Sequence, residues 1–324
     1  MRLHRRALLA APFLAEPVLA STAQARMLDR PARLLVGFAP GGSADLVGRL
    51  LADRLRDVYA PQVIVENRSG AGGRLAVEVA KSSAPDGGTV LLSPAGQFTI
   101  LPHLYPGRLR YEAADFLPVT PVCFFSYGFA VAANHPAQDL ESFARWAKSR
   151  PSVTFASPAA GSVGHFIGLR LGEALGIDMV HVPYRGTVPA LNDLMAGQID
   201  ATISVVGEVA ELHRAGRVRM LACTAAQRSP GLPALATFAE LGQPGLTEEQ
   251  WFGLFLPADA PDTAARALWE GAEAALRSPA VAQVLASQEY RPATEASGAF
   301  RERIATEFRR WEPIVARSGF RAED

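Results

Sequence analysis

The sequence predicts an α/β protein of two doubly wound lobes joined by a hinge with crossing strands. Three observations predict it. Short apolar strands alternate with amphipathic helical stretches, which is the pattern of βαβ units and parallel sheet. The alternation falls into two clusters, one on either side of a change of pattern near residue 120. Each cluster carries a glycine-rich loop between a strand and a helix. The helical tail after residue 260 lacks the strands of a third domain, so it is expected to return and cover the first sheet.

The elements follow in order. Residues 34–38 form the first strand, and Ser43 is expected to cap the helix that carries Leu46, Val47, Leu50, Leu51 and Leu55 as an apolar stripe. Residues 63–65 and 89–93 are the next strands. The stretch from Tyr111 to Val122, with Pro118 and Pro121, reads as looser chain before a strand at 129–133. Asp139 caps a helix, residues 153–157 form a strand, and a largely apolar helix follows Ser162. Strands at 179–182 and 201–205 flank a helix that starts at Thr187 and ends before Gly197. A strand from 217 to 224 and another from 251 to 256 precede the helical tail.

Composition excludes several classes of function. The 324 residues suit about two domains, and an apolar content of 49% rules out a disordered chain. Lys plus Arg number 32 and Asp plus Glu number 32, so no basic surface for nucleic acid is expected. Lys81 and Lys148 lie in helix-like stretches away from the glycine-rich loops, which leaves no good Schiff-base lysine. Cys123 and Cys223 lie in apolar runs and read as buried thiols, with one bridge between them left open. The six histidines show no ligand spacing, so neither a metal nor a cofactor is expected.

The N-terminus reads as an export signal. Arg2, Arg5 and Arg6 precede an apolar stretch from Ala7 to Ala15, and Ala23-Gln24-Ala25 supplies a small-x-small cleavage site. Arg5-Arg6 also fits a twin-arginine signal, so the choice of export route stays open. No apolar run after Ala25 is long enough to span a bilayer. The expected division is residues 1–25 as signal, 26–125 plus 226–324 as lobe one, and 126–225 as lobe two.

The two loops are the candidate site. Pro40-Gly41-Gly42-Ser43-Ala44-Asp45 lies in the first cluster and Ala160-Gly161-Ser162-Val163-Gly164-His165 in the second. A helix start presents unpaired N–H groups and a positive dipole end, and glycine allows close approach, so an anion is the natural guest. Gly41, Gly42 and Ser43 are expected to hold one polar end of a carboxylate. Ser157, Gly161 and Ser162 would serve from the other lobe. Phe38 would form an apolar wall, with Ser93 and Gln97 at the side. Asp45 reads first as a complement to the helix dipole. His165 is expected to bond a loop carbonyl or a neighbouring cap. Arg185, beside Gly186, would either pair a carboxylate or face solvent, and Asp200 is expected near the cleft mouth. Two other readings remain. The run around Ser162 approaches a nucleophile elbow, with Asp200 and His213 as loose partners for an exported serine hydrolase, although Ser162 stands too far beyond its strand. A ligand sensor that presents its closed form to a signalling partner is the other.

Several segments together resemble the Bug-type receptors of tripartite tricarboxylate transporters. They are Phe38 to Asp45 with Gly48-Arg49, Glu66 to Gly73, Asp115-Phe116-Leu117-Pro118-Val119, Gly161-Ser162 with His165, Val182 to Gly186, Gly197-Gln198-Ile199-Asp200, and Thr237 to Gly242. The resemblance implies a type II periplasmic binding protein, a small carboxylate ligand and membrane permease subunits as partners. A monomer is expected.

Overall fold

The computed structural model describes residues 26–184 and 186–322. The expected signal segment and Arg185 lie outside them. Five main strands build the first sheet: β1 (Ala32–Val36), β2 (Val63–Asn67), β3 (Thr89–Pro94), β4 (Phe116–Ala132) and, much later, β9 (Glu249–Pro257), and a two-residue strand at 291–292 pairs with β4 beside them. Helices α1 (Ser43–Leu55) and α2 (Arg74–Lys81) connect its parallel strands, and the short α3 (Gly96–Thr99) and α4 (Leu101–Leu104) follow β3. The second sheet uses β5 (Val153–Ser157), β6 (Met179–Pro183), β7 (Ala201–Val205) and β8 (Val218–Cys223). Helices α5 (Leu140–Lys148), α6 (Val163–Leu175), α7 (Thr187–Met195) and α8 (Val206–Arg214) lie between its strands. The tail adds α9 (Asp262–Arg277), α10 (Pro279–Ser287), a two-residue β10 (Arg291–Pro292) and α11 (Ser297–Ser318).

Strand order in the first sheet is β2-β1-β3-β9-β4, with β9 antiparallel to both neighbours. In the second, β6, β5 and β7 run parallel, and the far half of β4 pairs antiparallel with β7 on one side and β8 on the other. This is the doubly wound, two-lobed α/β architecture that the pattern predicts.

One element departs from expectation. From Phe116 onward the stretch read as looser chain is the first part of β4, a single 17-residue strand that serves both sheets. Proline lacks the N–H a ladder requires, and it is tolerated at bulges. The pairing of β4 with β9 shifts register at Pro118/Thr120 and again at Pro121/Cys123. A smaller difference concerns α1: Gly42, not Ser43, occupies its cap position.

The core is aromatic where the tail meets the first sheet. Trp251 and Phe255 of β9 are buried against Phe300 of α11. Both cysteines are buried free thiols, and burial pushes the Cys123 thiol up to about 12. In the second lobe α6 lies close on β5, because a Cβ at Gly168 would stand 2.0 Å from the Phe155 ring. Gly168→Ala is therefore expected to cost about 1–3 kcal/mol of stability by overpacking. Urea unfolding measures this, and an unchanged midpoint would refute the close seating. No helix among the described residues is long and apolar enough to cross a membrane.

The crossing between sheets is tied by Thr224. Its N–H donates to the Tyr127 carbonyl at 2.9 Å, and the Tyr127 N–H donates back to its Oγ1 at 3.0 Å. The Thr224 hydroxyl donates to the Glu248 carbonyl, and the Glu248 N–H donates to the Thr224 carbonyl at 2.8 Å. The two chain connections between the sheets, β4 and the segment from Thr224 to Glu248, therefore meet at one residue.

Candidate functional site

The loop after β1 is built around Asp45. This carboxylate is buried, and it accepts from the Gly41 N–H at 2.9 Å, from Asn67 Nδ2 at 2.9 Å and from the Arg49 guanidinium at 2.8 and 3.0 Å. Burial works to raise its pKa, but Arg49, the Gly41 N–H and Asn67 together hold it below the usual carboxylate range. Asn67 also donates to the Phe38 carbonyl at 3.0 Å, which joins the loop after β2 to the loop after β1. Asp45 is thus an organiser whose oxygens are already engaged, and the Gly41 N–H is committed to it. Pro40, Gly41 and Gly42 remain exposed and Ser43 is half-buried.

Phe38, Gln97 and Ser93 pack behind the first loop. The Phe38 ring and the Gln97 amide both press on Gly73, where a Cβ would meet Gln97 Nε2 at 2.8 Å and Phe38 Cζ at 3.0 Å. Gln97 is buried, donates to the Gly72 carbonyl at 2.7 Å and accepts from the Tyr111 hydroxyl at 3.0 Å. Ser93 is buried with its hydroxyl on the Pro94 carbonyl.

The second loop is more closed. Ser157 is fully buried; its hydroxyl lies 2.8 Å from His181 Nε2, 3.1 Å from Ser162 Oγ and 2.9 Å from the Ala159 carbonyl. Ser162 caps α6 by accepting the His165 N–H at 3.3 Å. The Gly161 N–H donates to His165 Nδ1 at 3.1 Å, and Leu104 and Phe320 cover Gly161. Of the two partners expected of it, His165 takes the neighbouring cap, through its own N–H, while its ring accepts from the Gly161 N–H. The two loops differ in one respect that matters for an anion. Ser162 caps α6, whereas no side chain caps α1. The first-turn N–H groups of α1 thus lack a side-chain acceptor and stand behind an exposed glycine loop.

His165 and His181 stack with ring centroids 3.9 Å apart. Burial lowers His165 to about 4; burial and then the neighbouring imidazole lower His181 to about 3. The unfolded chain takes up these protons near pH 6.5 and the folded chain does not. Stability from the pair is therefore complete above pH 6.5 and declines as pH falls toward 4 and then 3. Thermal melts at pH 7, 6 and 5 should show a falling Tm, and His181→Gln should flatten the slope. An equal slope in wild type and variant would refute it.

Asp200 requires correction. It precedes β7 and bonds the Thr154 N–H and hydroxyl, both at 2.8 Å, at the end of the sheet opposite the loops. A residue that enters a parallel strand sits away from the strand ends where ligands bind. His213 Nδ1 accepts from the Met220 N–H at 3.3 Å. Ser162, Asp200 and His213 hence do not assemble as a triad. Ser157 and His181 are in contact, but the imidazole beyond them is His165 and not a carboxylate. Among the described residues no group of three or more His, Cys, Asp or Glu is placed to hold a metal.

Sequence reasoning missed the residues that link the lobes. Glu208, in the first turn of α8, reaches across to α1, where its Oε1 accepts from the Ser43 hydroxyl at 2.8 Å. Its Oε2 accepts from the Thr187 hydroxyl at the start of α7, immediately after Gly186. The Tyr290 hydroxyl lies beside Ser43. A cavity of about 790 Å³ lies elsewhere, between residues 102–118 and α11, and none of the loop residues lines it.

Two α/β lobes with glycine loops at their strand ends, linked by crossing strands, define a type II periplasmic-binding-protein fold. Residues 47–320 match the family described as "Tripartite tricarboxylate transporter family receptor". The chain belongs to that family. It is 33% identical over 312 residues to "Protein BugT" of Bordetella pertussis, covering 94% of this chain and 93% of that protein. Among solved structures it is similar to "MatC (Rpa3494) from Rhodopseudomonas palustris with bound malate", with 29% identity, a TM-score of 0.77, and coverage of 88% and 99% of the two chains. It is also similar to "R. palustris Rpa4515 with adipate", with 29% identity, a TM-score of 0.82, and coverage of 90% and 97%.

Proposed function

We propose that this chain is an exported, non-catalytic receptor that captures a small carboxylate between its lobes in the periplasm. It delivers that ligand to the membrane subunits of a tripartite tricarboxylate-type transporter. The observation that carries the reading is the α1 start: no side chain caps it, exposed glycines front it, and Ser43 faces the second lobe through Glu208. Relatives whose structures contain malate and adipate support a carboxylate as the ligand class. The carboxylate rests on the α1 amides and on Ser43 when Ser43 is free, and the loop around Ser162 meets it from the other side. Residues 26–125 plus 226–324 move against 126–225 about Thr224. Arg185 remains a candidate partner for the ligand, and its position lies outside the described residues.

The test is a thermal-shift screen of the mature chain against mono-, di- and tricarboxylates and amino acids. A ligand at 100 times its Kd adds about 2.7 kcal/mol of stability. At least one acid is expected to raise Tm, and the absence of a shift from every acid would overturn the reading. Ser162→Ala is expected to cost about 1 kcal/mol through the lost α6 cap and to weaken the bound acid about tenfold. Urea unfolding and calorimetric titration check the two parts, and an unchanged affinity would remove Ser162 from the site.

A further inference from the structure

We infer that Glu208 selects a zwitterionic ligand, a carboxylic acid that also carries an amino group, over a dicarboxylate. The inference rests on the receptor reading above and names the ligand class of that same site. It starts from an unusual neighbour for an anion site. The hydroxyl of Ser43, on the helix start that would receive the ligand carboxylate, is bonded to a carboxylate from the opposite lobe at 2.8 Å.

Among the described residues, two hydroxyls hold Glu208 there. Ser43 donates to one oxygen and Thr187 to the other, and among the described residues no Lys or Arg forms an ion pair with it. Asp45, the other acid of the site, has a different situation, because Arg49 compensates it and its oxygens are filled. Glu208 is also exposed, so solvent or a ligand reaches it in the gap between the lobes.

The rim therefore presents two complementary poles within a few ångströms. The α1 amides and dipole favour a carboxylate. Glu208 favours a cation and repels a second negative charge near it. A ligand ammonium beside Glu208 replaces the Ser43 and Thr187 hydroxyls as its donor, or joins them, and that frees the Ser43 hydroxyl to turn to the ligand carboxylate. A dicarboxylate offers neither exchange and places like charges together. Selection here works by repulsion of the wrong ligand as much as by attraction of the right one.

The experiment is calorimetric titration of the mature wild type and Glu208→Gln. The ligands are α-amino acids, β-alanine, γ-aminobutyrate, malate, succinate, glutarate and adipate. Glutamine keeps the size and an acceptor oxygen for the hydroxyls, and apo melting curves verify that the variant folds. The expected result is tightest wild-type binding to an amino-bearing acid. In Glu208→Gln that affinity falls about tenfold or more, and the affinity for the matching dicarboxylate rises about tenfold or more. A wild type that binds a dicarboxylate tightest overturns the inference and leaves the receptor reading intact. A preference ratio that changes less than about threefold in the variant does the same. Failure of every acid to bind either protein overturns the receptor reading itself.

Discussion

Asp45→Ala is expected to lower stability by about 2–3 kcal/mol and the affinity for the bound acid about a hundredfold. The substitution removes a buried carboxylate and leaves three donors without it: the Gly41 N–H, Asn67 Nδ2 and the Arg49 guanidinium. Gly41 sits at φ +84°, and its hold on Asp45 is one of the bonds that keeps the loop in that shape. Without it, the exposed glycines no longer present the α1 start in one arrangement. Asp45→Asn keeps the shape and loses the charge, so an intermediate loss is expected. The pH dependence has a definite sign. Because the native carboxyl is held low, its contribution is present above the ordinary Asp pKa and disappears as pH falls through the lower native value. Asp45→Asn should therefore show a shallower loss of stability on acidification. Affinity within about threefold of wild type and an unmoved Tm would refute the organising role.

Gly207→Ala is the second large effect. A Cβ at Gly207 would lie 2.0 Å from the backbone carbonyl oxygen of Gln288, which no side-chain rotation relieves. The segment after α10 clasps both ends of α8, where Gln288 approaches Gly207 and Glu289 pairs with Arg214, and Tyr290 stands beside Ser43 of α1. One methyl group must move α8 away from this clasp. The expected cost is about 1–3 kcal/mol. Glu208 follows Gly207 directly, so the interlobe contact with Ser43 is displaced as well, and ligand affinity should fall about tenfold or more. Urea unfolding and calorimetric titration read the two effects separately. A wild-type midpoint together with wild-type affinity would show that the contact is not maintained in solution.

Much of this architecture was legible because the signal was local. The strand–glycine–helix units at 34–55 and 153–175 announce their geometry within a short local stretch, and Asp139 and Ser162 cap the helices expected of them. The remainder depended on contacts distant in sequence. Asp45 and Asn67 are 22 positions apart, and only folding joins them into one hydrogen-bonded unit. Glu208 escaped notice because β7 runs directly into α8 at Val205–Val206, with no glycine turn to mark a loop at the strand end. The prolines of β4 concealed a strand because the bulges that absorb them are a property of its pairing with β9. Asp200 was misplaced by reading a strand boundary without its direction. It enters β7, whereas ligands gather where parallel strands leave.

The position of β9 also governs the order in which the molecule can be assembled. This strand lies between β3 and β4, yet it is encoded after the whole of the second sheet. A nascent chain that has reached β8 can complete that second sheet, while β3 and β4 still expose open edges with no partner between them. Such edges invite pairing with other chains. A chain cut short before residue 249 would therefore have no route to a finished first lobe, and the newly made protein needs shelter from its neighbours until its last quarter arrives.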